Sequence, residues 1–168
     1  MNSTSEYIEI KAFLRFFAGR FLDQRVPAAY DRPMAVLERQ EEESAARAAS
    51  GLRMAVNNCM EISSPWPLSQ IVSLDAEMAE KGLRTLSYVR SHYWGRYAAM
   101  LKRGAIRNSD EFAVAQGVLA DQSLLQSLPE AERQTLQVLV RSYRQTRPNP
   151  SMGRASPGEP GNASHTRR

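Results

Sequence analysis

Residues that supply covalent cross-links and metal ligands are scarce in this chain. Among 168 residues there is one cysteine, Cys59, and there are two histidines, His92 and His165. A single thiol excludes an intramolecular disulfide framework and a cysteine-cluster zinc site. Neither histidine has a second one at ligand spacing, and neither follows a glutamate by three positions. That excludes paired-His zinc motifs and the helical di-iron pattern. Hydrophobic runs are short, and none reaches the ~18 apolar residues that span a bilayer. The most apolar early stretch, Ala12 to Leu22, is broken by Arg15 and Arg20 and does not read as a secretory core. The expected location is therefore cytoplasmic, with no membrane. Signatures for phosphate-binding loops, dinucleotide folds and serine hydrolases are also missing.

What remains is the composition of one globular domain: 42% hydrophobic, 24% charged, with a mean hydropathy of −0.47. The formal charge of +4 is unevenly placed. Residues 147–168 carry four arginines against one acid, whereas the rest of the chain carries 18 basic and 17 acidic side chains. Prolines alternating with Gly, Ser and Asn in 147–168 leave too little apolar surface to offset ordering entropy. A disordered basic tail is expected there, and a frayed start over residues 1–5.

Between them, periodicity predicts an all-α, single-domain bundle of about six helices over residues 6–146, with an internal break at 63–67. Ile10, Phe13, Leu14, Phe17 and Phe21 form one stripe of a helix over 6–24. Asp31 is an expected cap and Pro33 an expected first-turn residue for a helix running to about 62. Met34, Leu37, Ala45, Ala48, Leu52, Val56 and Cys59 share its apolar face, and Gly51 is a modest cost within it. Ser63-Ser64-Pro65-Trp66-Pro67 denies backbone donors and ends that helix, with Trp66 expected as a lid on the core. Further helices are predicted over 68–81, 83–103, 108–125 and from about 129 to 143. Gly104 fits a C-terminal cap, and Asn108 with Glu111, then Ser127 with Glu130, fit capping boxes.

The search for chemistry returns no catalytic constellation, so no enzyme, cofactor or metal is expected. Cys59 lies among apolar residues and reads as an inert core thiol. Glu38, Glu41, Glu42, Glu43, Asp75, Glu77 and Glu80 fall on expected wet faces, without the burial that separates the pKa values of an acid/base pair. Residues 83–107 hold Arg84, Arg90, Arg96, Lys102, Arg103 and Arg107 and no acid. Leu83, Leu86, Val89, Tyr93, Tyr97, Met100 and Leu101 make its apolar face. Arg84, Tyr88, Arg96, Lys102 and Arg103 gather on another arc, which is what contact with a phosphate backbone would use. The competing expectation is that the acidic faces of the helices over 33–62 and 68–81 neutralise these cations within the bundle. Residues 79–89 also look like the start of a helix-turn-helix, but the interval from Ala79 to Gly82 is one residue short.

Phe13, Phe17 and Phe21 make the first stripe heavier than a surface helix needs, which marks them as candidate partner-binding residues. The leading functional expectation is a non-enzymatic interaction or regulatory module that binds an unidentified protein partner or itself as a homo-oligomer. The alternative is a nucleic-acid-binding regulator acting through the basic face of 83–103.

Overall fold

The computed structural model describes residues 4–146. Among them the chain forms nine α-helices and two single 3-10 turns, with no strand. The helices are α1 (Thr4–Phe21), α2 (Pro33–Glu43), α3 (Ala45–Ser63), α4 (Leu68–Glu80), α5 (Leu86–Tyr93), α6 (Gly95–Arg103), α7 (Ser109–Ala120), α8 (Gln122–Leu125) and α9 (Glu130–Thr146). The all-α expectation holds. The count of about six does not, because three expected helices each divide once, at Ser44, Trp94 and Asp121. Thr4 and Ser5 already belong to α1, so the frayed start does not extend to them. The tail expected over 147–168 lies outside the described residues.

Two of the three divisions have a capping side chain as their local cause. Ser44 is extended (φ −170°, ψ 149°), and its hydroxyl accepts from the Arg47 N–H at 3.2 Å, so it starts α3 instead of continuing α2. Asp121 does the same for α8, accepting from the N–H groups of Ser123 and Leu124 at 3.0 and 3.2 Å. Short polar side chains compete with the helical backbone in this way, and each cap contributes about 1 kcal/mol. Trp94, with extended backbone (φ −89°, ψ 110°), divides the expected helix over 83–103 without a side-chain cap.

Several expected signals are where the sequence places them. Gly104 ends α6 in the left-handed region at φ 68°, and Gly82 does so after α4 at φ 67°. Asn108 caps α7 by accepting from the Glu111 N–H at 2.9 Å. Glu111 reaches back one residue further than a capping box requires, to the Arg107 N–H at 2.8 Å. Two caps differ from expectation. Asp31 closes a 3-10 turn, and Arg32 precedes Pro33 at the start of α2 without a side-chain cap. Pro129, not Ser127, starts α9, its carbonyl accepting from Glu132 and Arg133 at 3.0 Å each.

Helix α1 packs on α2 and α3, and α7 packs on α4, α5, α6 and α9, with α3 against α5 joining the two halves. One apolar core runs through both, from Ile10, Phe13, Leu14 and Phe17 through Leu52, Val56 and Met60 to Val114, Val118 and Leu136. Trp66 stacks on Phe17 (centroids 5.6 Å, 13°) and meets Phe21 edge-on (4.8 Å), closing the core as the break at 63–67 implied. Gly51 faces Gln40: a Cβ there would lie 1.7 Å from Gln40 Oε1. Its absence lets α2 and α3 approach.

Candidate functional site

The basic stretch that the sequence marks for phosphate contact is divided by the Trp94 break, and each cation then finds its own surroundings. Arg84 lies before the Thr85 cap of α5. Its Nε bonds Glu9 Oε2 on α1 at 2.7 Å, and its guanidinium sits 4.4 Å from the Tyr88 ring centroid. The hydrogen bond to Glu9 holds the Arg84 pKa above its ordinary value. His92 stacks on Tyr88 at 4.0 Å and 18°. The Arg84 guanidinium and the His92 ring both lie against the Tyr88 ring, so the aromatic that would stack on a base already has two partners within the bundle.

Arg96 on α6 bonds Glu61 of α3 at 3.1 Å, and Glu61 also accepts from Trp94 Nε1 at 3.2 Å. Arg103 bonds Glu111 of α7 at 2.6 Å and the Ala105 carbonyl at 2.8 Å. Lys102 is exposed and has no ion-pair partner among the described residues. Arg84, Arg96 and Arg103 are therefore matched within the bundle, by acids on α1, α3 and α7. Of these, Glu61 lies within the expected helix over 33–62, whereas Glu9 and Glu111 stand on helices not expected to supply acids.

Phe13 and Phe17 have no exposed surface, and Phe21 is half-buried against Trp66. Burial of this kind contributes about 1.5–3 kcal/mol per ring to the fold. The excess of aromatic surface on α1 is thus used by the core, and Phe13 and Phe17 present nothing to a partner.

Two charged residues occupy places the sequence did not mark. Asp75, expected on a wet face, is 5% exposed, and Arg90 is fully buried. Asp75 accepts from the N–H and hydroxyl of Ser87, while Thr85 donates its hydroxyl to Asp121. Burial, with Asp121 nearby, pushes the Asp75 carboxyl up to about 6 despite those hydrogen bonds. Arg90 donates Nη2 to the Ser63 carbonyl, and its Nε and Nη1 have no hydrogen-bond partner among the described residues. Burial lowers its pKa to about 10, opposed by attraction to Asp75 and Asp110, so it stays charged at neutral pH. These groups tie α4, α5 and the α7–α8 junction together.

Cys59 is buried, with its thiol pushed up to about 12 by desolvation, while His92 lies exposed on α5. A thiolate nucleophile is not prepared by such surroundings. No group of three or more His, Cys, Asp or Glu converges among the described residues. No described helix is long and apolar enough to cross a membrane.

No family model matches this chain, and neither a curated protein nor a solved structure matches it.

Two of the larger surface depressions among the described residues bear on function. The first follows α5: neighbouring cavities of about 540 and 610 Å³ share Arg84, Tyr88, Leu124 and Ser127. Its Arg84 is ion-paired with Glu9, and Glu132 accepts the Tyr97 hydroxyl. The second, about 510 Å³, lies between α7 and α9 and is closed at one side by Leu68 of α4. Leu119, Ala120 and Val140 form its floor, with Arg141, Arg144 and three glutamines around the edge. Neither Arg141 nor Arg144 has an ion-pair partner among the described residues. Sequence reasoning missed this groove. The pair Arg141 and Arg144, with no acid after Glu132 in that helix, was a visible signal, but the α7 floor opposite was not.

Proposed function

We propose that this chain is a non-enzymatic protein-interaction module, a small helical bundle that docks a protein partner. The observation that carries the reading is the internal matching of Arg84, Arg96 and Arg103 by Glu9, Glu61 and Glu111. These cations fasten helices to one another, and the stretch loses the one-sign face that a polyanion would need. Exposed large apolar side chains include Ile8, Tyr30, Met54, Val72 and Val138, which stand on five separate segments. Obligate dimers bury larger and more continuous apolar surfaces, so a partner of another kind suits this surface better than a permanent homodimer.

In-cell chemical cross-linking followed by mass spectrometry tests the reading. Cross-links from α7 or α9 to a defined protein, resistant to nuclease, are the expected result. Cross-links to nucleic acid alone would overturn it.

The second reading is a nucleic-acid-binding regulator. Arg84 and Arg96 keep 43% and 52% of their side-chain surface exposed, and Lys102 has no ion-pair partner among the described residues. Exposed pairs are worth only about 0–1 kcal/mol, so a phosphate backbone could compete for these guanidinium groups. That reading requires retardation of DNA or RNA at low salt, falling steeply as salt rises, and its loss when Arg96, Lys102 and Arg103 are neutralised together.

A further inference from the structure

The groove between α7 and α9 combines three properties found together nowhere else among the described cavities. Its floor is apolar, built from Leu119, Ala120 and Val140, with Leu68 closing one side. Its edge carries two cations, Arg141 and Arg144, that no acid among the described residues neutralises. Arg144 is also held in place, its guanidinium 5.7 Å from the Phe112 ring centroid. The contrast with the α5 groove is direct, because there Arg84 is already bonded to Glu9.

From this we infer that the α7–α9 groove docks an acidic amphipathic helix of a partner protein, its apolar stripe on Leu119 and Val140 and its carboxylates on Arg141 and Arg144. The inference rests on the interaction-module reading above and names its surface and partner chemistry. Along α9 the lining runs from Gln137 to Gln145. At 1.5 Å per residue that is about 12 Å, room for two turns of a docked helix with apolar residues at i, i+3 or i+4, and i+7. Reversible grooves of this kind place apolar anchors at the centre and charges on the rim.

Complementarity also selects against occupants from this chain. The sequence after Thr146 adds four arginines against one acid, so it repels the rim it would have to cover. Helix α2 is acidic, but Leu37 is buried and the outward positions Glu38, Glu42 and Glu43 include no apolar anchor. A second copy therefore has no apolar stripe there to offer the floor.

The test is selection of a displayed library of random peptides, about sixteen residues long to allow four helical turns, against the full chain. In parallel, selection runs against the Arg141→Glu/Arg144→Glu double variant. Both positions are exposed, and an unchanged thermal midpoint confirms that the variant folds. Enrichment of acidic sequences with apolar residues three and four apart is expected. A synthetic copy of one should bind the wild type and shift backbone amide resonances in α7 and α9. The double variant should weaken that peptide by about tenfold or more, as reversal of two rim charges does. Enrichment of neutral or basic peptides overturns the inference, as does equal binding by the double variant. Single-stranded RNA or duplex DNA that outcompetes the peptide at the same amides also overturns it, in favour of a polyanion. If cross-links to a partner protein survive the double variant, this groove is the wrong surface and the module reading stands.

Discussion

Ser87 donates both its backbone N–H, at 3.1 Å, and its hydroxyl, at 2.5 Å, to the buried carboxylate of Asp75. The two residues are brought together by the left-handed turn at Gly82, which sends the chain back from α4 into α5. Two positions earlier, Thr85 accepts from the Tyr88 N–H at 3.0 Å and donates its hydroxyl to Asp121. The first turn of α5 is thus held by carboxylates from two other elements. Four predictions rest on these contacts and their neighbours.

The first concerns pH. The Asp75 pKa is raised in the folded state, to about 6, so the folded protein binds this proton more tightly than the unfolded chain. Stability from this group therefore rises as pH falls from 7 toward 4, by about 3 kcal/mol in total at 1.36 kcal/mol per unit. Glu41 works in the opposite sense. Its pKa is lowered, chiefly by the hydrogen bond from Lys11, so its contribution is lost at more acidic pH. Urea denaturation across pH 4 to 7 should show the Asp75 contribution growing as pH falls from about 7 toward 4, with the Glu41 loss opposing it only at the acidic end. Asp75→Asn, which keeps an acceptor for the Ser87 N–H, should remove the rise. A profile for Asp75→Asn that overlays the wild type would refute the assignment.

The second concerns Gly117. A Cβ at this position would lie 2.7 Å from Ser87 Oγ and 3.3 Å from Ile71 Cγ2. Gly117→Ala should therefore push Ser87 away from Asp75 and cost about 1–3 kcal/mol, the usual range for overpacking, against the small gain in helix propensity. Thermal denaturation measures it. A stabilised variant would show that α5 and α7 can separate without loss.

Arg90 supplies the third. It is fully buried, bonds the Ser63 carbonyl, and attracts Asp75 and Asp110. Arg90→Ala should cost about 2–5 kcal/mol, since it leaves a cavity, strips the Ser63 carbonyl of its donor and removes the cation that attracts buried Asp75. Arg90→Met keeps most of the volume and should recover part of that loss. In both variants the Asp75 titration should move above its wild-type position, as followed by carboxyl carbon chemical shifts. A titration that stays in place would mean Arg90 and Asp75 do not interact.

The ion pairs supply the fourth, through their differing exposure. Glu9→Gln and Glu61→Gln break pairs whose side chains are about two-fifths to one-half exposed, so each should cost under about 1 kcal/mol. Glu111 is only 12% exposed and accepts from both Arg103 and the Arg107 N–H. Glu111→Gln should cost more, about 1–3 kcal/mol, because a charge-assisted bond at a helix cap is lost. The thermal midpoints should fall in that order, and equal losses would contradict the ranking.

Much of the architecture could be read before any coordinates. The stripe of Ile10, Phe13, Leu14 and Phe17 is buried, Trp66 does close the core, and Gly104 and Asn108 do cap their helices. The divisions at Ser44 and Asp121 were hidden because the apolar pattern resumes within a turn on the far side. Leu52, Val56 and Cys59 stay buried after Ser44, whereas Ala45, assigned to the same stripe, is exposed. Of the candidate site, the basic character of 83–107 was legible, but its pairing was not. Glu9 and Glu61 stand 75 and 35 positions from Arg84 and Arg96, and no periodicity reports such a contact. Arg141 and Arg144 were visible as cations without acids on their turn of helix, yet a groove needs the second wall that α7 provides.

Helix content, cap chemistry and the choice of core-facing side chains follow from interactions spanning four residues or fewer, and those are written along the chain. Burial of Asp75 and Arg90, the partners of each surface arginine, and the open cleft beside α9 depend on which helices lie against one another. Such packing is governed by shape and desolvation between distant segments, so identical local patterns could have left the same charges wet, paired or hidden.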